Sequence, residues 1–401
     1  MHFSPPPGLV RRTLRKHRRQ LLLCAVVVAM ALLTLILVSK GAALQRLLFS
    51  PTQSSAWARS ATAAPRAVFI VAQTSYSPGW CRMMLSAILS NVSVVSIGLG
   101  GKYKHSVRPA WLLDYMDDAG LRDEDVVVMF DGGDTFFTGP LGVKRAVEGF
   151  LATTAPSADA FNATAVHQGE ATAPLLFESD PACWAPQIDL VVPLGPEDHF
   201  SRCFWYYERV WKAANSSPGQ RLVRPPPWEY RHLAAGGMVG RVWAFREASK
   251  AYANLLARSD KWWCDQSLWA LLFVWSVTRD PIVDAGLRIR YGLLSLNYNN
   301  SFFLTPRAGP FGSPALLHLP GWTGMWRGAL PKLLNCASWF EPLQRSGTFA
   351  EEVRALLRST AVTVYSVNRR ANATRFSEVC SLKEVLDPRW LSSPPEKAVA
   401  G

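Results

Sequence analysis

The run Val126-Val127-Val128-Met129-Phe130 passes directly into Asp131-Gly132-Gly133-Asp134. Five apolar, mostly β-branched residues predict a buried central strand. Asp131 and Asp134 then fall at or just past its C-terminal end, the edge of an open α/β sheet where ligands bind. Two carboxylates this close repel each other unless a cation lies between them. The paired glycines remove side-chain bulk and permit positive φ, so a bulky anion can approach the backbone. The chemistry indicated is a divalent ion holding a phosphate-bearing substrate. An ordinary strand-to-turn junction gives the same pattern, because Asp and Gly both favour turns. The rest of the chain has to separate the two.

The elements that must position this motif are readable on both sides of it. Ala67–Ala72 predicts a first buried strand, Gln73–Gly79 a polar turn, 82–90 a short helix and 92–97 a second strand. This strand–helix–strand alternation continues into Val126–Phe130 and predicts a doubly wound α/β sheet. Residues 151–173 are Ala/Thr-rich and read as a loop, and a strand resumes at 174–177. Pro225-Pro226-Pro227 is a rigid break. The stretch 233–240 packs small residues and glycines tightly, and 246–275 reads as one or two aromatic-rich helices. The tail, 339–401, shows one helical segment near 351–357 and no motif. The sequence contains no internal repeat.

The ends carry a different message. Arg11, Arg12, Arg15, Lys16, Arg18 and Arg19 precede Leu21–Val38, 18 residues without a charge. At helical rise that stretch spans roughly 27 Å, close to a bilayer core. The positive-inside rule then places the N-terminus in the cytosol. A cleaved signal peptide has a shorter apolar core, so an uncleaved signal anchor is expected. Its modest length suits ER or Golgi membranes. The expected organisation is a basic cytosolic tail (1–20), a transmembrane anchor (21–38), a flexible Ala/Ser/Pro-rich stem (39–65), a catalytic domain (66–338) and a C-terminal extension (339–401). Without the six tail cations the formal charge falls from +13 to +7. That excess favours anionic partners such as nucleotide sugars or acidic glycans. No Arg/Lys stripe interleaves with aromatics, which argues against nucleic acid.

Seven cysteines are present, and Cys24 lies in the apolar span. The other six permit up to three disulfides in an oxidising lumen, among 15 possible pairings. None has C-x-x-C spacing, which argues against structural zinc. Sequons at Asn91, Asn162, Asn215, Asn299 and Asn372 are candidate glycosylation sites, Asn91 the weakest because it adjoins an apolar run.

Six segments, taken together and in order, resemble the glycosyltransferase domain of procollagen-lysine hydroxylases and related collagen glycosyltransferases. Gly98-Leu99-Gly100-Gly101-Lys102 resembles the Gly-rich donor loop, and Met129-Phe130-Asp131-Gly132-Gly133-Asp134 the strand with its D-x-x-D metal motif. Phe177-Glu178-Ser179-Asp180-Pro181-Ala182-Cys183-Trp184 resembles "F-S-A-E-x-x-C-W", the most specific of the six. Ala234-Ala235-Gly236-Gly237-Met238-Val239-Gly240 resembles "L-N-S-G-G-F-I-G", and Cys264-Asp265-Gln266 an acidic-D-Q helix start. Ala315-Leu316-Leu317-His318 resembles the strand that ends in a metal-binding histidine. The match covers roughly residues 66–335. It departs from the family in three places. His318 is followed by Leu319-Pro320-Gly321 instead of Gly, alanine replaces the Asn before the paired glycines, and the hydroxylase domain of the family's long members is not expected here.

The resemblance implies a GT-A-like (Rossmann-like) fold, a UDP-sugar donor and Mn²⁺ (or Mg²⁺). Asp131, Asp134 and His318 would be the metal ligands, a donor set of two hard oxygens and an imidazole that suits Mn²⁺. Gly100, Gly101 and Lys102 would offer backbone N–H groups and one cation to the nucleotide, with no Walker A motif present. Asp131, Gly236 and Gly237 would adjoin the donor. Asp265 would contact the sugar or act on the acceptor hydroxyl. Trp184, Trp263 and Trp322 are candidates to stack on sugar or uracil rings. The function expected is a type II, single-pass Golgi or ER membrane enzyme. It would transfer a hexose from a UDP-sugar to a hydroxyl of a glycan or glycoprotein. A non-catalytic carbohydrate-binding membrane protein is the alternative, and a metal-dependent lumenal hydrolase is disfavoured by the lack of an H-x-x-H or H-E-x-x-H cluster.

Overall fold

The computed structural model describes residues 64–387, apart from 218, 226–227, 282–285, 307–312, 321–325 and 345–347. The expected membrane anchor, the cytosolic tail, nearly all of the stem and Trp322 lie outside the described residues. Among the described residues no helix is long and apolar enough to cross a membrane.

The fold is mixed α/β around a large sheet. Its strands, in chain order, are β1 (Ala67–Ala72), β2 (Val94–Leu99), β3 (Val126–Phe130), β5 (Leu175–Asp180), β6 (His232–Arg241), β7 (Leu294–Leu296), β10 (Ala361–Ser366) and β11 (Ala371–Arg375). The spatial order is β11-β10-β2-β1-β3-β6-β5-β7. A second sheet orders β4 (Thr135–Phe137), β9 (Leu316–His318) and β8 (Phe303–Leu304). β2, β1 and β3 run parallel, with β10 parallel to β2 at the outer side. The doubly wound expectation holds for this half. β6 then runs antiparallel to both β3 and β5, so the whole sheet is mixed.

Two helices connect the parallel strands: α1 (Pro78–Leu89) and α2 (Arg108–Asp118). Ser77, expected in a turn, caps α1: its hydroxyl accepts from the Trp80 N–H, and Pro78 fits the first helical position, where no N–H is needed. The stretch expected to be a loop, 151–173, holds the end of α3 (Pro140–Thr153) and a short α4 (Ala163–Gln168). Beyond α5 (His199–Ser216), the aromatic-rich region divides into α6 (Val242–Leu256) and α7 (Asp265–Thr278). α7 is apolar on all sides after its first turn and is buried in the core, as such a helix must be.

Two further stretches gain definition. The glycine-rich stretch 233–240 is the middle of β6, a strand buried along all its length. Its glycines make room for neighbours. A Cβ at Gly240 would come within 2.8 Å of Leu175, and one at Gly237 within 2.6 Å of the Phe303 ring. The C-terminal stretch supplies β10 and β11 in addition to its helix, Thr348–Ser359. A disulfide from Cys380 to Cys81 in α1 ties this stretch down, and Cys183 pairs with Cys203. Cys264 and Cys336 remain as thiols. The asparagines of all five sequons, Asn91 included, are exposed.

Candidate metal centre

Asp131 is the first residue past β3, and its backbone N–H donates to the Gly236 carbonyl at 2.8 Å. The chain turns through Gly132 and Gly133, presents Asp134, and enters β4. β4 pairs with β9 so that Thr135 lies opposite His318. The Leu319 N–H donates to the Asp134 carbonyl at 3.0 Å and fixes that register. A one-residue slip would turn the imidazole to the other face. Two strands far apart in sequence, β4 and β9, therefore bring His318 to the carboxylates.

His318 Nε2 lies 3.6 Å from Asp134 Oδ1 and 3.9 Å from Asp131 Oδ2. The ligand atoms of all three residues fall within 4.8 Å of one another. Around an ion with roughly 2.1 Å bonds, ligand atoms are separated by about 3 Å when adjacent and about 4.2 Å when opposite, so these spacings suit one shared cation. The imidazole is 1 % exposed, and its Nε2 has no hydrogen-bond partner. A buried polar atom in that state costs free energy unless something binds it. Its Nδ1 is held by Glu178 Oε2, and the other Glu178 oxygen accepts from Thr305 Oγ1 at 2.6 Å. A buried carboxylate behind a histidine fixes the ring and raises its basicity as a ligand. The residues present fit a divalent cation.

Electrostatics point the same way. Burial alone would push the His318 pKa down, but the Glu178 and Asp134 carboxylates overcome it and hold the imidazole well above its usual range. Carboxylates that favour a proton on this ring also favour a metal ion in its place.

Gly236 stands against this cluster. A Cβ there would come within 2.2 Å of His318 Cε1 and 3.1 Å of Asp131 Oδ2. Gly237, pointing to the other face of β6, meets Phe303 instead. The two glycines expected to act together therefore face different partners. Those of the acidic turn also differ: a Cβ on Gly132 would strike Val71 at 2.5 Å, whereas Gly133 faces open space.

Asp265 opens α7 and is buried. Arg108, at the start of α2, reaches it with Nε at 3.0 Å from Oδ2, and the same guanidinium pairs with Asp131 Oδ1. Its Nη2 also donates to the Ala235 carbonyl at 3.2 Å. Burial pushes the Asp265 pKa up and Arg108 opposes it. Arg108 is 3 % exposed and links the metal cluster to Asp265. Its sequence context, a cation beside Pro109 at a helix start, carries no mark of burial. Glu178 stands out in the sequence only as part of the segment Phe177–Trp184. Its signal resembles that of Asp131, since an apolar strand runs into an acid at Phe177-Glu178.

The Gly-rich loop is placed differently from the expectation. The Gly100 N–H donates to the Thr74 carbonyl and that of Gly101 to the Gly98 carbonyl, both at 3.0 Å. These amides are occupied within the protein, which corrects their expected use as free donors. Lys102 is exposed. Tyr103 follows it, with a pKa raised by burial, lowered by Arg108 and raised again by Asp131, Asp265 and Asp134, so the loop runs beside the cluster. Trp184 and Trp263 are 38 % and 52 % exposed. The Trp184 carbonyl accepts from Gln266 Nε2 at 2.8 Å, next to Asp265.

Comparison with known proteins finds no matching family model and no matching curated protein. Among solved structures, the apo form of the bifunctional glycosyltransferase WbbM is similar over 72 % of this chain, at 11 % identity and a TM-score of 0.35. The match takes in 53 % of that chain, about half its length. The resemblance to collagen glycosyltransferases rests on the six sequence segments.

Proposed function

We propose that the protein is a metal-dependent glycosyltransferase that moves a hexose from a UDP-sugar to a hydroxyl of a glycan or glycoprotein, on a GT-A-like fold. The observation that carries this reading is the convergence of Asp131, Asp134 and His318 at a sheet edge, with Nε2 unpartnered and Nδ1 held by Glu178. Mn²⁺ or Mg²⁺ bound there would offset the negative charge that grows on the departing diphosphate. Asp131 has a divided task, with Oδ1 on Arg108 and Oδ2 toward the metal cluster. Arg108 holds Asp265 through Oδ2, so Oδ1 is the oxygen to receive a proton from the acceptor hydroxyl. Gly236 keeps side-chain bulk away from the cluster, and Lys102 is the cation of the adjacent loop.

We place the enzyme in the ER or Golgi membrane as a single-pass type II protein with a lumenal catalytic domain. Two disulfides fit an oxidising compartment, and five exposed sequon asparagines fit lumenal modification.

The test is metal-dependent turnover across a panel of UDP-hexoses by the full chain. Turnover should appear with Mn²⁺, vanish with chelator and be lost in Asp134→Ala. Normal turnover by that variant would refute the metal assignment.

A further inference from the structure

A cleft of about 630 Å³ lies outside the metal centre, lined in part by Asn215, Gln220, Arg221, Arg224 and Trp228. That volume is within the range of small-molecule sites. The Arg224 guanidinium lies over the Trp228 ring at 4.7 Å and near the Tyr298 ring at 5.9 Å. The Arg221 backbone N–H is bonded to the His167 carbonyl, and its guanidinium, among the described residues, donates to the neighbouring Gln220 carbonyl at 3.5 Å. Among the described residues neither arginine makes an ion pair, whereas Arg209 on α5 is paired with Asp280. Glu229 is the nearest acid in sequence and does not line the cleft. The loop that carries both arginines is braced. Gln220 accepts from the Val223 N–H at 3.1 Å and donates to its carbonyl at 3.0 Å, and the Leu222 carbonyl accepts from Ser295 Oγ at 2.7 Å.

This cleft is joined to the metal centre. Two residues after Trp228, the Tyr230 hydroxyl donates to the Thr305 carbonyl at 3.0 Å. The Thr305 hydroxyl donates to Glu178, the carboxylate that holds His318. Ser295, which anchors the loop, pairs with Leu176 on the strand that carries Glu178.

We propose that this cleft binds an acidic saccharide and is the acceptor-recognition site of the enzyme, an inference that rests on the glycosyltransferase reading. Unpaired guanidinium groups ask for a planar or tetrahedral anion such as a carboxylate or sulfate. An indole face offers a flat apolar surface for the C–H face of a pyranose ring, with polar groups at the rim. Charge and shape together select a sugar carrying an acid group over a neutral sugar or a bare ion.

The experiment is calorimetric titration of the full chain with a glucuronate-containing disaccharide, its carboxyl-reduced counterpart and inorganic sulfate. The native chain and Asn215→Gln are titrated in parallel, so that the effect of any glycan at that sequon on the cleft is read directly. The acidic disaccharide should bind, and carboxyl reduction should weaken binding about tenfold or more. Arg224→Gln and Trp228→Ala should each weaken it about tenfold, with Mn²⁺ affinity and melting unchanged, since both side chains are exposed. Equal binding of the neutral disaccharide, equal binding of sulfate, or undiminished binding by both variants overturns the proposal. Asp134→Ala should lose Mn²⁺ and keep the disaccharide. Binding without any UDP-sugar turnover would sink the enzymatic reading and leave an acidic-saccharide site. Turnover without such binding would sink the cleft and leave the enzyme.

Discussion

β3 has a carboxylate at each end, and the two live in opposite circumstances. Asp125 precedes the strand, is buried, and is surrounded by donors: Arg66 gives it a backbone N–H at 2.8 Å and two guanidinium bonds at 3.0 and 2.7 Å, and the Arg122 N–H adds one at 2.9 Å. Asp131 follows the strand and shares its space with Asp134, Glu178 and an imidazole nitrogen that has no hydrogen-bond partner. The first carboxylate is complete as the chain folds. The second belongs to a cluster that an added cation would complete. On the proposed function, one end of the strand serves stability and the other serves function, and altering one should leave the other intact.

The largest separation should come from paired substitutions. Asp134→Ala should reduce Mn²⁺-dependent turnover by about 10³-fold, the scale of losing several kcal/mol of charge stabilisation, while its melting temperature without metal falls less than that of Asp125→Ala, since only the pair with His318 is lost. Asp125→Ala should do the reverse. It removes the carboxylate that Arg66 and Arg122 share at the strand entry, at a cost of about 2–3 kcal/mol, reduced from the fully buried case because both arginines are partly exposed and keep other partners. Turnover per folded molecule should be retained. Urea unfolding and steady-state rates measured on both variants decide this. A comparable loss of stability in both would erase the distinction between the two ends.

A finer contrast lies within β6. Gly236→Ala puts a methyl group into the His318 ring and should weaken Mn²⁺ binding by at least the 10–100-fold seen when a ligand's support is lost. Gly237→Ala meets Phe303 and should lower stability by about 1–3 kcal/mol with Mn²⁺ affinity kept. Glu178→Gln should also cost about 10–100-fold in Mn²⁺ affinity, because it removes the charge behind the imidazole. Mn²⁺ titration by electron paramagnetic resonance reads all three.

The same contrast explains what the sequence made legible. β1 and β3 could be bounded to the residue because both are short apolar runs flanked by polar residues, Arg66 and Gln73 for β1 and Asp125 and Asp131 for β3. The acidic turn could be placed at a sheet edge because the polarity of β3 follows from chain direction. β6 could not, since its Gly and Ala residues have little strand preference, and its conformation is imposed by β3, β5 and the side chains that fill its glycine gaps. Arg108 and Glu178 escaped for a related reason. Their importance comes from burial against partners 23 and 140 residues away, and no local pattern encodes such pairings. The alternation in Ala361–Ser366 was present, but it sits in a stretch otherwise poor in signals.

The smallest predicted effect is the pH dependence, and its sign differs between the two ends. Burial would raise the Asp125 pKa, but the bonds from Arg66 and Arg122 prevail and hold it below the ordinary aspartate range. Its contribution to stability is therefore present above about pH 4 and lost as pH falls through the depressed value. His318 is shifted the other way, well above the imidazole range. In protein free of metal, its ion pairs contribute fully below about pH 6.5 and are lost as pH rises through the raised value. Asp125→Asn should thus flatten the acid limb of a stability–pH curve and leave the alkaline limb alone. His318→Gln should flatten only the alkaline limb in chelator, and that limb should recover in the native chain when Mn²⁺ replaces the lost proton. Urea midpoints measured from pH 3 to 9, with and without Mn²⁺, test both signs. An alkaline limb indifferent to both His318→Gln and Mn²⁺ would mean that the imidazole is an ordinary core residue and that the two ends of β3 differ only in degree.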